Sequence, residues 1–394
     1  MELRPVTVLI GKNSSGKSSL TKLVASILKG VSGKYASFQL PMEIYPNLIL
    51  GTGFSALCRN GNNVGLHIGG KFSDNLEMDY ELFDPKLSDA VAIREVTIKN
   101  GSDRVITGRM RVSSNGKMGN SIGVNDFNGL IPEKILKEEE LGLEFQSKFD
   151  YLGPLRTDVP RSIPSLTPES LETVGPRGEN AYRLLCTDQE LFEKVRDWFV
   201  DNMKISDMRA KPMESGEYII QLQKKENNVD DSSRSGAGLA STRNAYWVNL
   251  ADEGMGFGQI LPIVTRAMMN VAGSTVIVEQ PELHLHPAAH ASVAQLFAES
   301  AKTTDQRFLV ESHSENFLLG LREAVVDKDN PLKPEDVVIY FIDDNGDDFS
   351  SGAYLKKIEI DENGDLSSWP AEVFDEDFNL LMEIQRKAEE RGES

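Results

Sequence analysis

With 394 residues, 40% of them hydrophobic and 26% charged, the chain has room for one large domain or a core domain with a substantial insertion, and its composition is that of a soluble globular protein. A net charge of −19 excludes broad, non-specific attraction of the whole surface to nucleic acid, because phosphate binding requires a field of the opposite sign, although a local basic groove stays open. No apolar run approaches the roughly 20 residues that span a bilayer. No basic leader precedes a long apolar stretch, and Cys58 and Cys186 read as ordinary thiols of a reducing cytoplasm.

In chain order, PVTVLI (5–10) is short, apolar and β-branched, and predicts a buried strand. Residues 11–16 read as a loop. The pattern SSLTKLVASILKG after Lys17 predicts a helix that stops at Gly30. Lys12, Lys22, Lys29 and Lys34 cluster here and read as a solvated face. Residues 64–112 are strand-rich, with VGLHIGG, REVTIKN and RVITGRMRV separated by turn residues. Residues 131–149 carry helical spacing, too short for a long coiled-coil arm, and 178–204 read as two helices. The polar, low-complexity stretch 224–243 predicts a mobile loop. Alternation then resumes: helix 257–270, strand 275–279, helix 287–302, strand 307–311, helix 314–325, strand 336–342. Apolar strands alternating with helices predict a parallel sheet covered on both faces. The tail has two hairpin turns, DDNGDD (343–348) and DENGD (361–365). A calcium loop fails at the first, since the required Gly and later Glu are out of place.

GKNSSGKSS (11–19) satisfies G-x-x-x-x-G-K-[ST] between a strand and a helix. Gly11, Lys12, Asn13, Ser14, Ser15, Gly16, Lys17, Ser18 and Ser19 are the candidate nucleotide-binding residues. The glycines let the backbone wrap phosphate, loop amides and the helix N-terminus face the anion, Lys17 reaches the β- and γ-phosphates, and Ser18 holds Mg²⁺. VIVEQPELHLHPAAH (276–290) sets two carboxylates and three histidines after an apolar run. A zinc site would draw on His284, His286 and His290. Pro287, however, begins a helix and turns His290 away from the other two.

The combination of GKNSSGKSSL, YLGPLR (151–156), VGPRGENAYRLL (174–185), DEGMGFGQILPIV (252–264), VIVEQPELHLHP (276–287) and VESHSENFLLGLRE (310–323) resembles the SMC/RecF-like, ABC-type AAA family ATPases, relatives of the ATPase domain of OLD (overcoming lysogenization defect) proteins. The resemblance implies an α/β P-loop NTPase of ABC/SMC-head type, a mixed sheet flanked by helices, with an inserted strand-rich and helical lobe. It implies lobes at 1–35 (phosphate loop), 36–130 (strand-rich), 131–245 (helical and irregular insertion), 246–342 (signature, acidic strand end, switch histidine) and 343–394 (acidic hairpin and helix). ATP and Mg²⁺ are the implied cofactors. Two heads would sandwich ATP, with Gly254, Gly256, Gly258 and Gln259 as the signature segment acting in trans, its glycines preceding a helix. The family pattern often has Ser where this chain has Gly258.

By the same resemblance, Glu279 is the Mg²⁺-linked acid, Ser18 its hydroxyl companion, His313 the γ-phosphate sensor, and His284 and His286 belong to the loop that meets the partner head. Gln280 stands where a water-activating glutamate is usual, and an amide cannot take a proton at neutral pH. Either Glu282 is the activating carboxylate, or hydrolysis is slow and binding is the signal. Only ten residues precede Gly11, so either the chain is shortened or adenine is held differently. The implied function is a cytoplasmic, nucleotide-gated homodimer controlling a protein effector such as a nuclease, in bacterial anti-phage defence, with no membrane partner. A RecF-like, ATP-dependent DNA clamp in repair is the alternative. A nuclease in its own right is disfavoured, because VVIYFIDDNGDD lacks the expected glutamate and paired-aspartate strand end. A transporter subunit lacks a membrane-coupling segment, and a long-armed SMC lacks heptads.

Overall fold

The computed structural model describes residues 1–32, 39–52, 54–57, 66–73, 76–84, 91–100, 104–112, 118–120, 127–128, 130–132, 148–164, 171, 173–225, 245–328, 332–344, 353–369, 383 and 386–387. The chain divides into two compact units. Met1–Ser15, Asp150–Asp343 and Leu355–Ser394 make the first, and Gly16–Phe149 with Asp344–Tyr354 the second.

The main elements begin with β1 (Val6–Gly11) and α1 (Lys17–Val31), followed by β2 (Leu66–Ser73), β3 (Leu76–Phe83), β4 (Val91–Asn100) and β5 (Arg104–Val112). Next come β6 (Phe149–Leu152), α2 (Ala181–Thr187) and α3 (Gln189–Asn202). β7 (Asp207–Pro212), β8 (Tyr218–Lys225) and β9 (Ala245–Asn249) lead to α4 (Met255–Met268), β10 (Thr275–Glu279) and α5 (Pro287–Thr304). β11 (Arg307–Glu311), α6 (Glu315–Val326), β12 (Val337–Asp344) and β13 (Ala353–Ile358) complete the order.

The first unit is built on a six-stranded sheet ordered β6-β10-β11-β1-β12-β13. β10 pairs with β11, β11 with β1, and β1 with β12, all in parallel. Every residue of β1 and β10 is buried, as strands covered on both faces require. The fold is therefore α/β, with a parallel-dominated mixed sheet flanked by helices. Phe297 of α5 stacks on Phe308 of β11 with ring centroids 4.7 Å apart and meets Phe317 of α6 edge-on at 6.1 Å, which fixes the helix pair on the sheet. At the strands' starting edge, buried Arg266 of α4 pairs with Asp150 and Gln306 and donates to Ser274 Oγ at 2.8 Å. A smaller antiparallel sheet, β7-β8-β9, turns Met208 and Leu222 into the core, and on its other side Arg209 lies 3.9 Å from the centre of the Trp247 ring.

In the second unit β2-β3-β4-β5 are antiparallel neighbours. Ile68, Met78, Tyr80, Leu82, Val96 and Ile98 form a core of their own, against which Leu23 and Ile27 of α1 pack. This is the expected use of an amphipathic helix.

The strands expected at 5–10, 275–279, 307–311 and 336–342 are present within two residues, and both helices expected in 178–204 form inside that range. The helix expected at 257–270 starts earlier, at Met255, so only Gly254 precedes it; Gly256 and Gly258 lie inside its first turn. The stretch expected to be strand-rich, 64–112, holds β2, β4 and β5 where the three named segments lie and β3 between them, while the β7-β8-β9 sheet falls where the expectation was helical and irregular. Of the helix expected at 131–149, residues 131–132 instead pair as strand with 127–128, and Phe149 opens β6. Residues 133–147 of that expectation, most of the 224–243 loop, the turn at 345–348, the C-terminal helix beyond 383 and 386–387, Lys34 and Cys58 lie outside the described residues. The DENGD turn forms: Gly364 sits at φ 77° and Ile360 bridges Leu366. Among the described residues no helix is long and apolar enough to cross a membrane.

Candidate functional site

Parallel strands end on one edge of their sheet, and in open α/β sheets that edge holds the ligand. There the chain leaves β1 at Gly11, β10 at Glu279 and β11 at Glu311. Gly11 is required: a Cβ would overlap the Ile342 carbonyl oxygen of β12. Ser14 is left-handed at φ 65°, Ser15 N donates to Lys12 O at 3.3 Å, and Ser15 Oγ is buried with no hydrogen-bond partner. Gly16, at φ 99°, is the N-cap of α1 and has no side chain to cap it. The first turn of a 15-residue helix offers backbone N–H groups that its own ladder does not use, and such a terminus favours an anion. Lys17 is buried and Ser18 half-buried, while Lys12, Asn13, Ser14, Gly16 and Ser19 are exposed.

The end of β10 is held by the segment 151–156. Tyr151 donates to Glu279 Oε1, and Glu279 is 4% exposed. Arg156 Nη2 donates to the carbonyls of Glu279 at 2.8 Å and Gln280 at 3.3 Å. Gln280 stands at φ 46°, a left-handed conformation that costs a non-glycine residue on the order of 1 kcal/mol. Its N–H continues the sheet by donating to Glu311 O at 2.8 Å. The chain then turns tightly, Leu283 N to Gln280 O at 3.2 Å and Leu285 N to Glu282 O at 3.0 Å, with His284 also left-handed at φ 66°. Burial lowers the Arg156 pKa to about 10, opposed by the carboxylates of Glu282 and Glu279.

Glu282 Oε1 accepts from Ser312 Oγ at 3.0 Å and from His313 N at 2.7 Å, and its buried Oε2 has no partner. The turn after β10 and the loop after β11 are therefore one hydrogen-bonded body. Glu311 faces Glu279 across the β10/β11 register, and His313 Nε2 lies 4.0 Å from Glu311 Oε1. Ser314 caps α6 by accepting from Phe317 N at 3.1 Å and contacts His290 Nδ1 at 2.7 Å. His290 Nε2 reaches Leu285 O at 3.3 Å; a carbonyl can only accept, so Nε2 carries the proton and Nδ1 takes the Ser314 hydroxyl. His286 Nδ1 caps α5 by accepting from Ala288 N at 3.2 Å. Local backbone thus engages His286 and His290, and Pro287 occupies the first turn of α5. Among the described residues no group of three His, Cys, Asp or Glu side chains is placed to hold a metal ion.

At the start of α4, Gly254 and Met255 are exposed, and Gln259 is buried. A Cβ on Gly256 would stand 2.8 Å from His284 O, so the helix start abuts the turn after β10. A Cβ on Gly258 would overlap the Val159 side chain. That accounts for the missing serine hydroxyl: Val159 already fills its place. Pro262 has no N–H for Gly258 O, and Tyr182 Oη donates to that oxygen instead at 3.4 Å.

The structure gathers Glu279, Gln280, Glu282 and His313 and adds three residues given no individual role from sequence: Tyr151, Arg156 and Glu311. For Glu311 a signal existed, since RFLVE ends in glutamate as TVIVE does. For Tyr151 and Arg156 only the shared motif YLGPLR drew notice.

Residues 188–320 match the family model described as "AAA domain, putative AbiEii toxin, Type IV TA system", and residues 332–384 match "Protein of unknown function (DUF3696)". No curated protein matches. Among solved structures, the SMC head domain from Thermotoga maritima is similar at 12% identity, covering 91% of this chain and 93% of that one, with a TM-score of 0.37. An SmcHead bound to the C-winged helix domain of ScpA is similar at 12% identity, 91% and 92% coverage and a TM-score of 0.40. The Pyrococcus furiosus Smc head domain with an extended coiled coil, bound to the C-terminal domain of ScpA, gives 11% identity, 96% and 93% coverage and a TM-score of 0.38.

Proposed function

We propose that the chain binds Mg-ATP and hydrolyses it as an ABC-type head related to OLD proteins, and that nucleotide-dependent pairing of two copies controls a protein effector in bacterial anti-phage defence. The observation that carries the reading is the phosphate loop: GKNSSGKS on β1 and α1, with a left-handed Ser14 and a helix N-terminus that no side chain caps. The match of residues 188–320 to an AAA domain described as a putative toxin component supports the defence setting.

In this reading the loop residues 11–19 cradle the phosphates, Lys17 neutralises them, and Ser18 supplies a hydroxyl to Mg²⁺, which lends Lewis acidity when bound. Glu279 is the acid at the strand end, Gln280 orients the attacking water, and Glu282 takes its proton. His313, through its ring, reports the γ-phosphate to α6. The exposed Gly254 and Met255 meet the nucleotide of the second copy.

Steady-state Mg-ATP turnover of the purified chain, with Lys17→Ala as the blank, tests this. Turnover should exceed the blank, and Glu282→Gln should keep ATP affinity within a few-fold while slowing hydrolysis about 100-fold or more, as loss of a general base does. Wild-type turnover no higher than the blank would remove the hydrolysis claim, and ATP-dependent DNA binding would transfer the reading to a DNA clamp.

A further inference from the structure

We infer that Arg156 is a positioning residue that locks the turn after β10 in its reactive shape. One guanidinium nitrogen bridges the carbonyls of Glu279 and Gln280, at 2.8 and 3.3 Å. Those two carbonyls flank the φ of Gln280, which is held at 46°. A left-handed glutamine relaxes toward ordinary backbone unless its surroundings over-determine it. Arg156 supplies that constraint from outside the turn, and the Gln280 N–H bond to Glu311 O supplies it from the sheet.

The second observation concerns what is left over. Arg156 is 4% exposed, yet Nε and Nη1 have no hydrogen-bond partner. Glu282, whose carboxylate attracts this guanidinium, likewise buries Oε2 without one. Most buried side-chain polar atoms have at least one hydrogen-bond partner. A cation and an anion that attract one another thus both bury polar atoms beyond those that hold the backbone of this turn and the loop after β11. Tyr151 completes the grip by holding the Glu279 carboxylate from the same segment.

The catalytic consequence rests on the proposed ATPase reading; the grip on the turn rests on geometry alone. The test therefore uses two readouts on the full chain. Hydrogen exchange followed by mass spectrometry reports the amides of 279–285, and ATP turnover with mant-ATP affinity reports function. Arg156→Met should speed exchange in 279–285 and 312–314 about tenfold, leave β1 and β11 unchanged, lower kcat about 100-fold and hold KM and mant-ATP affinity within about threefold. Arg156→Lys, which keeps the charge and a single donor nitrogen, should fall between. Gln280→Gly adopts the left-handed turn unaided, so adding it to Arg156→Met should return exchange in 279–285 toward the rate of Gln280→Gly alone.

Unchanged exchange in 279–285 would overturn the inference. So would faster exchange spread over β1, β10 and β11 together, or equal losses of kcat and ATP affinity, because those are the marks of a residue that only holds the fold together. If the wild type fails to turn over ATP while Arg156→Met still loosens 279–285 alone, the ATPase reading fails and the grip stands.

Discussion

At Arg266 a guanidinium only 2% exposed meets Asp150, Gln306 and Ser274. Burial pushes the Asp150 carboxyl up to about 6, while Arg266 pulls it down. Removing the cation leaves burial unopposed. Arg266→Met is therefore expected to cost about 3–5 kcal/mol near pH 8, the usual penalty for stranding one member of a buried pair. The sign with pH follows from linkage. A carboxyl raised in the folded state contributes stability that is present below its unfolded value of 3.8 and is lost as pH rises through the folded value. The variant should thus regain stability between about pH 8 and about pH 5, relative to wild type, in urea unfolding at the two pH values. An equal deficit at both would mean that Asp150 is not the group left exposed to burial.

At the scale of the element, α4 shows how a helix is fitted to its neighbours. Gly258 has no side chain because Val159 occupies the space, and Tyr182 replaces the donor that Pro262 lacks. Gly258→Ser should destabilise by about 1–3 kcal/mol, as overpacking does. Val159→Ala in the same chain should recover most of that loss, and chemical denaturation of the single and double variants measures the coupling. Additive losses would place the strain elsewhere.

β1, β10, β11 and β12 were legible because strands buried on both faces read as continuous β-branched runs. The phosphate loop and the Glu279 strand end were legible because their chemistry is local. β7 to β9 were not: DMRAKP alternates but holds no β-branched or aromatic residue, and Trp247 is half-covered by Arg209, a partner 38 positions away that no periodicity encodes. Arg156 lies 123 positions before Glu279, so its hold on the strand end is a product of the topology. The expectation for α4 failed by two residues because glycines read as helix breakers, although close packing against His284 O and Val159 is what demands them.

At the scale of the molecule, the charge of −19 sets a sign for association. Two copies of this chain repel one another, and salt screens that repulsion over about 10 Å at 0.1 M. The proposed ATP-driven pairing should therefore strengthen as ionic strength rises from about 50 to about 200 mM, as read by sedimentation velocity with Glu282→Gln to retain nucleotide. Binding to DNA would weaken over the same range, because it gains from counterion release. The slope against salt thus separates a protein-regulating head from a DNA clamp.

The parallel pairing of β1 also bears on how the chain is made. Val6 pairs with Phe308 and Val337, so the central strand leaves the ribosome about 300 residues ahead of both neighbours. At roughly 5–20 residues per second it waits about 15–60 s with two unpaired edges. During that interval an apolar, β-branched strand is a template for the wrong partner. Nascent chains stalled before residue 307 should accordingly be the ones that holdase chaperones retain, and translation speed, rather than the stability of the finished sheet, would set the yield of folded protein.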